Sequence, residues 1–546
     1  MVYRSNKMAK KIIIYLIFTF CFVVQILPVI KSGSNIPGGI GFWGPNGHDG
    51  VWHLALINHI SNPFVIKMPI FSGETLKNYH PFFDIIISYV GKISNLPTSV
   101  LLFQIFPILS TIFYLYFSFK IGKIISKSDK GGIILMLLNT LNNSFGWLVN
   151  LVKYKNFEGE SLFWAMQSPS NQLNPPYILS LVLLLWLTHI LLSVKSLSNK
   201  NLLTISLILI FLPIIKAYSA IPAFIIFFLY ILKIKRYYKT FAISLIISIV
   251  LFLQFNKNSS SLLIWQPFWF IRSLFESTDK LFIPRFANLA QASGIKLIIF
   301  YAIGIPIFYL GNFAFRLLSI IKPLPKSWFS TSLYLSIILL SAIPLFFIQS
   351  GTSWNTIQFL YYAIFLLNIP LAYYLSQTNL AIPTFIIILQ LLPLLASLPQ
   401  YLGKTPPSYI SNDEFKCLNY LQQQPPSIVL TFPYDAYLKD KMTTPLPLYV
   451  YATTSYVAAY SSQTTYLEDE MNLANSGYDW KSRRLAADKF FKQENIFQDR
   501  GFLLNNRIDY IYLARLQIEK TSLNIKNLYI NLVYSNPDCQ IYKVQK

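Results

Sequence analysis

Long apolar runs separated by short polar stretches dominate the first four hundred residues. The first run, 12–30, follows four basic residues, and similar runs recur up to residue 402. About twenty apolar residues are needed for a helix to cross the hydrocarbon core of a bilayer. The pattern therefore predicts a polytopic α-helical membrane protein with about eleven transmembrane helices. We place them at 12–30, 99–119, 131–152, 177–194, 202–215, 220–232, 241–255, 296–318, 329–348, 356–375 and 380–402.

The pattern changes after residue 403, where apolar runs shorten and charged residues become more frequent. Helical periodicity appears at 413–422 and 486–491, and alternation typical of strands appears in four further segments. These strand segments are 427–432, 509–514, 528–534 and 540–544. We therefore predict a transmembrane domain at 1–403 and a soluble α/β domain at 404–546.

The first long polar loop, 31–98, contains two short segments with helical periodicity. These segments, 49–60 and 82–93, are too short to span a membrane. We interpret them as helices that lie along the membrane interface. A third outer stretch, 256–295, is rich in aromatic residues and too polar to span, so it is interpreted as interfacial or re-entrant.

Composition and charge support a membrane protein and set its orientation. Only 12% of the residues are charged, whereas about 25% is usual in soluble domains. The net charge is +23, and the basic residues cluster in alternate short loops. This distribution follows the positive-inside rule and does not indicate a nucleic-acid groove. We expect a multi-pass protein of the plasma (inner) membrane with a cytoplasmic N-terminus and an extracytoplasmic C-terminal domain. The lipid bilayer is an expected partner, and nucleic acid is not.

Cysteine usage leaves one disulfide open. The sequence has three cysteines, of which Cys417 and Cys539 lie in the C-terminal domain and Cys21 lies in the first span. Three cysteines are too few for a disulfide scaffold, but a single bridge between the two C-terminal cysteines is compatible with an exported domain.

The candidate chemistry lies in the first long loop, which holds four of the five histidines. Asp49 and His53 are four residues apart, so they share one face of a helix, and His48 precedes them. Asp84 begins the second short helix, with His80 one turn before it. Such a group suits a divalent ion or a carboxylate general base. The alternative is that the aspartates cap the two helices and the histidines anchor the interface through their polar tips.

The motif His48-Asp49-Gly50, the span count and the C-terminal domain on the same side together resemble the GT-C superfamily of membrane glycosyltransferases. The segments 459–461, 483–484 and 507–511 are similar to the soluble tails of uncharacterised bacterial GT-C-like proteins. The resemblance implies a polyprenyl-phosphate-linked sugar as donor and Asp49 as the catalytic base or metal partner. Asp84 or Glu74 would supply a second carboxylate. The loop has no Asp-x-Asp, so a divalent cation such as Mg or Mn stays open.

A lipid-phosphate donor also needs positive charge at the departing phosphate. Three cations, Lys216, Arg272 and Arg285, are predicted near the outer face, although contact with lipid headgroups or snorkelling is the better explanation of any single one of them. The remaining expected substrate contacts are the polar side chains His48, His53, His80 and Asn355. The acceptor is left open as a protein, a lipid or a glycan.

Two other classes of function compete with a glycosyltransferase. A lipid or polysaccharide transporter or flippase would place ionisable groups in the membrane and repeat its halves, whereas these spans are nearly free of charge and the halves differ. A non-enzymatic membrane-anchored assembly protein would leave the first-loop cluster without a role.

Overall fold

The computed structural model describes residues 2–159, 161–165, 168–256, 262–493, 495–521 and 523–545. The chain divides into two compact units. The first consists of Met1–Pro28, Ile108–Gln254 and Asn258–Pro399. The second consists of Val29–Pro107, Phe255–Lys257 and Gln400–Lys546. The second unit thus combines the first long loop with the C-terminal region, which the predicted boundary at residue 403 had separated.

Apolar helices make up most of the first unit. Eight helices of the described residues are long and apolar enough to cross a membrane by length and composition. They are Lys10–Ile30, Thr98–Ser126, Pro175–Ser193, Ala217–Ile234, Tyr238–Phe255, Ile295–Ile320, Trp328–Phe346 and Ser353–Ser376. The unit also contains two short helices, Trp269–Glu276 and Pro284–Ala287, and a two-stranded antiparallel sheet of Leu263–Trp265 and Phe347–Gln349.

The three other predicted spans are present as helices, but they are broken or short. The third is a bent pair, Asp129–Leu141 and Gly146–Tyr154, whose axes differ by 54°. Polar residues at 142–144 separate the two helices. The fifth and eleventh are Asn199–Ile215 and Ala381–Ser397, with 17 residues each. At 1.5 Å per residue, 17 residues reach about 25 Å, less than a typical hydrocarbon core. The described residues therefore support eight spans, or nine with the bent pair, and eleven is not confirmed.

A buried arginine stabilises the break in the bent pair. Arg316 is 1% exposed and donates from Nη2 to the carbonyl of Asn142 at 2.8 Å. Its Nε donates to Asn368 Oδ1 at 2.9 Å. Carbonyls at the C-terminal end of a helix carry partial negative charge, which favours a cation there. The arginine thus satisfies main-chain groups that the interrupted helix leaves without intrahelical partners.

The second unit mixes helices with two sheets. Besides the beginning of Thr98–Ser126, its helices of five or more residues are Asp49–His59, Phe82–Ser94, Asn412–Gln422, Ala436–Lys441, Tyr456–Ser461, Glu470–Asn475, Trp480–Lys492 and Ile496–Asn505. The five-stranded sheet has the order Ile530–Asn536, Cys539–Val544, Tyr510–Ala514, Ile428–Thr431 and Thr464–Thr465. The first three strands pair antiparallel, and the last three pair parallel. These bounds agree with the α/β pattern predicted after residue 403.

Main-chain hydrogen bonds join the first loop to the C-terminal region. Strand Gly39–Phe42 pairs antiparallel with Ser408–Ser411, in a sheet ordered Ser34–Ile36, Gly39–Phe42, Ser408–Ser411 and Leu446–Pro447. Further along the loop, Ser72 N donates to the carbonyl of Thr465 at 3.0 Å. Because these bonds come from the backbone, the first loop is an integral part of the α/β unit.

The two short helices of the first loop differ in their surroundings. Asp49–His59 is buried at every position from Gly50 to Ile57, so it is a core helix and does not lie along an interface as predicted. A helix that is apolar on all sides belongs in a core. Phe82–Ser94 buries one face and exposes Tyr89 and Ile93 on the other, as expected for an amphipathic helix. Cys417 and Cys539 form a buried disulfide.

Candidate active site

Helix Asp49–His59 begins directly after a 3-10 turn, Gly44–Gly47. Two glycines allow the backbone to approach its neighbours closely at this point. A Cβ on Gly47 would collide with the hydroxyl of Ser408, and one on Gly50 would lie 2.6 Å from the buried ring of Phe103. Glycine is therefore needed at both positions for this packing. The packing fixes where the helix begins and hence where His48 and Asp49 lie.

His48 lies between two carboxylates. Its Nδ1 is 2.7 Å from Asp49 Oδ1, and its Nε2 is 3.2 Å from Asp469 Oδ1. The side chain of Asp469 is fully buried, that of His48 is 11% exposed, and that of Asp49 is 50% exposed. We call these three residues the Asp49–His48–Asp469 triplet. Asp469 is the buried carboxylate at one end of the triplet, and Asp49 is the solvent-accessible carboxylate at the other end.

Asp469 is itself held by the start of helix Glu470–Asn475. Its Oδ1 accepts from the backbone N–H of Asn472 at 3.2 Å, and its Oδ2 accepts from Asn472 Nδ2 at 2.8 Å. A side-chain oxygen that caps a helix N-terminus also benefits from the helix dipole. The inner end of the triplet is therefore rigid, because the carboxylate cannot rotate without losing its cap.

The charges of the triplet favour a protonated histidine. Burial opposes the charged form of His48, but the carboxylates of Asp469 and Asp49 outweigh it and raise its pKa well above 6.5. A protonated imidazole donates from both ring nitrogens, so it can bond to both carboxylates at once. The imidazolium thus orients Asp49 and balances the two negative charges on either side of it.

His53 and Asp84 form a separate, buried pair. His53 Nδ1 lies 2.7 Å from Asp84 Oδ1, and Asp84 is fully buried. Burial raises the pKa of Asp84, and the neighbouring His53 partly offsets this rise. Asp49 and His53 therefore share a helix but point to different partners. The pair suits a structural role in the core, and the predicted catalytic role of Asp84 stays a prediction.

The other first-loop candidates lie in the same unit. His80 is half-buried and stacks on the ring of Tyr79, with centroids 4.9 Å apart. Tyr79 in turn accepts a hydrogen bond from Trp52 Nε1 at 3.1 Å. Glu74 is exposed in the turn where Met68 N donates to its carbonyl. Their expected substrate contacts are not tested by this arrangement.

Four candidates belong to the first unit. Lys216 is buried between two helices, with its Nζ 5.7 Å from the Tyr218 ring. Arg272 is half-buried and Arg285 is exposed. Asn355 Nδ2 donates to Gln349 Oε1 at 2.7 Å. Asp49 lies in the second unit, so the contact of these cations with a donor phosphate stays a prediction.

Sequence reasoning missed the acidic side of the triplet. Glu468, Asp469 and Glu470 are the one run of three consecutive acidic residues in the sequence, which was the available signal. Glu468 is buried and accepts from the backbone N–H groups of Val457 and Ala458, both at 3.0 Å. Burial raises its pKa to about 8. The three acids line a cavity of about 30 Å³, which is enough for a water molecule.

The Mg or Mn cation that the sequence left open stays a prediction. No group of three or more His, Cys, Asp or Glu side chains in the described ranges is placed to hold a metal ion. Asp49 and His53, the predicted ligands, bond to His48 and Asp84 respectively. We therefore assign no chemical step to a metal.

Comparison with known proteins gives only distant likenesses. No protein-family model and no curated protein matches this chain. Among solved structures, an Archaeoglobus fulgidus oligosaccharyltransferase tethered to an acceptor peptide is 11% identical, with a TM-score of 0.47, over 97% of this chain and 74% of that one. An archaeal oligosaccharyltransferase from the same organism, in complex with an inhibitory peptide and a dolichol-phosphate, is 10% identical, with a TM-score of 0.46, over 93% and 70%. Likeness at this level does not define a family.

Proposed function

We propose that this protein is a membrane glycosyltransferase of the GT-C type, which moves a sugar from a polyprenyl-phosphate-linked donor to an acceptor on the extracytoplasmic face. The observation that carries the proposal is the half-exposed carboxylate of Asp49, oriented by buried His48. His48 is anchored by Asp469, 421 residues further along the sequence. A general base needs this combination of fixed orientation and access to substrate.

The reaction requires one proton acceptor and one leaving group. The acceptor's hydroxyl oxygen forms a bond to the anomeric carbon while the bond from that carbon to the phosphate oxygen breaks. The hydroxyl proton passes to Asp49, and the bonding electron pair leaves on the polyprenyl phosphate. The contribution of the His48 imidazolium is to hold the Asp49 carboxylate in line with the acceptor. Lys216, Arg272 and Arg285 are the proposed cations for the phosphate.

Two further observations support this setting. The long apolar helices are suited to a membrane, which is where a polyprenyl chain dissolves. The disulfide between Cys417 and Cys539 is typical of an oxidising compartment, which supports an extracytoplasmic position for the second unit. The acceptor is proposed only as a hydroxyl-bearing group on a protein, a lipid or a glycan.

The test compares three proteins in membrane vesicles that contain a labelled polyprenyl-phosphate sugar and an envelope extract as acceptor. These are the wild type, Asp49→Asn, and Asp440→Asn as a control at an exposed carboxylate of the same unit. Loss of a general base typically costs 10²- to 10⁴-fold in rate, so transfer should fall at least about 100-fold in Asp49→Asn and persist in the control.

Other outcomes identify the competing functions. Full transfer by the Asp49→Asn variant would show that Asp49 is not the general base. Movement of the labelled lipid across the vesicle membrane without a new glycosidic bond favours a flippase. If the wild-type protein neither transfers the sugar nor moves the lipid, a non-enzymatic assembly protein is favoured.

A further inference from the structure

A basic cavity lies in the first unit, where helix Thr98–Ser126 ends beside the end of helix Pro175–Ser193. It measures about 420 Å³, within the usual range of ligand pockets. Its lining consists of Lys120, Lys123, Ile124, Lys127, His189 and Ser193. Three lysines and no acidic residue line the cavity, so it is suited to an anion.

Only part of this positive charge is neutralised nearby. Lys123 Nζ lies 2.7 Å from Asp129 Oδ1, but the other oxygen of Asp129 is 2.8 Å from Lys10 Nζ. One carboxylate is thus shared by two lysines. The Nζ of Lys120 lies 5.3 Å from the ring of Tyr116. A net positive charge therefore remains at the cavity.

An exposed aromatic wall lies next to the cavity. Phe113, Tyr116 and Trp186 are exposed on the same two helices. Phe117 connects the wall to the cavity, because it stacks on Trp186 at 6.0 Å and lies 5.6 Å from the His189 ring. Tyr116 precedes Lys120 by four residues, or about 6 Å along a helix. The aromatic wall and the positively charged cavity therefore lie one after the other along the helices, in the same order as the acyl chains and the headgroup of a phospholipid.

We propose that this cavity binds the phosphate-bearing headgroup of an anionic phospholipid, whose acyl chains lie along Phe113, Tyr116 and Trp186. The proposal does not depend on the glycosyltransferase activity. Basic pockets between transmembrane helices are suited to such headgroups. If the lysines served only to orient the protein by the positive-inside rule, they would need neither a shared cavity nor an adjacent aromatic wall.

The experiment measures binding of fluorescent phosphatidylglycerol and phosphatidylcholine to the purified full-length protein in detergent. The variants are Lys120→Gln with Lys127→Gln, and, as a control, Lys233→Gln with Lys235→Gln at another helix end. Each lysine near a membrane surface contributes about fivefold in affinity. We therefore expect phosphatidylglycerol binding to weaken about 30-fold in the cavity variant and to stay unchanged in the control.

A second variant and a competitor make the test decisive. His189→Leu keeps all the lysine charges that set the membrane orientation. It removes the hydrogen bond that the proposal expects from the His189 ring to the lipid phosphate, so binding should weaken about fivefold. Glycerol phosphate, which has no acyl chains, should compete poorly. Equal weakening in both lysine variants, equal binding of the two lipids, or full competition by glycerol phosphate would overturn the proposal.

Discussion

Replacing Asp469 by Asn should alter the behaviour of Asp49, although the two carboxylates do not bond to each other. Asparagine keeps the size of the side chain but removes its negative charge. Burial lowers the pKa of His48, and of the two carboxylates Asp469 does more than Asp49 to raise it. The pKa of His48 should therefore fall. A neutral ring donates from only one nitrogen, so it can no longer donate to both neighbours as the imidazolium does.

The structure gives the size of this effect. Hydrogen bonds to charged groups contribute about 1.5–3 kcal/mol, and Asp469 accepts one from His48 at 3.2 Å in a buried site. We expect Asp469→Asn to destabilise the second unit by about 2 kcal/mol. If the same energy is lost from the positioning of Asp49, transfer slows about 30-fold.

The pH dependence has a defined sign. The pKa of His48 is raised in the folded protein, so its stabilising contribution is complete below the unfolded value of 6.5. This contribution is lost as the pH rises through the raised folded value. Wild-type stability and activity should therefore decline on the alkaline side, and in Asp469→Asn this decline should begin at lower pH.

The assay records sugar transfer and thermal unfolding from neutral to alkaline pH. Asp413→Asn is the matched control, since Asp413 pairs with Lys416 on the surface of the same unit. We expect the control to follow the wild type. If Asp469→Asn has the wild-type pH profile, or if its unfolding temperature falls no more than that of the control, His48 is not held by Asp469.

Three further substitutions test the second unit. Asp84→Asn breaks a fully buried pair with its histidine partner and should cost about 3 kcal/mol, measured as a lower unfolding temperature; an unchanged temperature would contradict the burial. Cys417→Ser removes the disulfide, should cost about 2–4 kcal/mol, and should make Cys539 reactive to thiol reagents once the protein is unfolded; reactivity of both cysteines in the unfolded but unreduced wild type would refute the bridge. Gly50→Ala should cost about 1–3 kcal/mol, because its Cβ meets Phe103, and Phe103→Leu should restore part of the loss; an Ala variant as stable as the wild type would show that the ring yields freely.

The sequence was sufficient for features that depend on local pattern. Apolar runs located the helices of the first unit, and alternation located the strands of the C-terminal region, because both periodicities are read over a few residues. The start of the helix at Asp49 was also predictable. The count of eleven spans was less secure, since hydropathy alone does not show that polar residues at 142–144 bend the third span.

Features that depend on distant contacts were not predictable. The i, i+4 spacing placed Asp49 and His53 on one face of a helix, but His53 bonds to Asp84 on another helix and not to Asp49. Similarly, the acidic run 468–470 was visible in the sequence, yet nothing in it showed that Asp469 faces His48. The helix Asp49–His59 was expected at an interface because its pattern was judged without the C-terminal region that covers it.

The sheet that joins the two parts of the second unit explains why so short a motif can specify a site. Strand Gly39–Phe42 ends six residues before His48, and its register against Ser408–Ser411 sets the position of the intervening turn. A slip of one residue would turn every side chain of that strand to the opposite face. Gly39 opposes a slip that would bring Ile40 into its place, because a Cβ there would collide with the carbonyl oxygen of Ile410. Strand pairing therefore helps to place His48, and the motif His48-Asp49-Gly50 forms the proposed site only where His48 meets Asp469 from the C-terminal region.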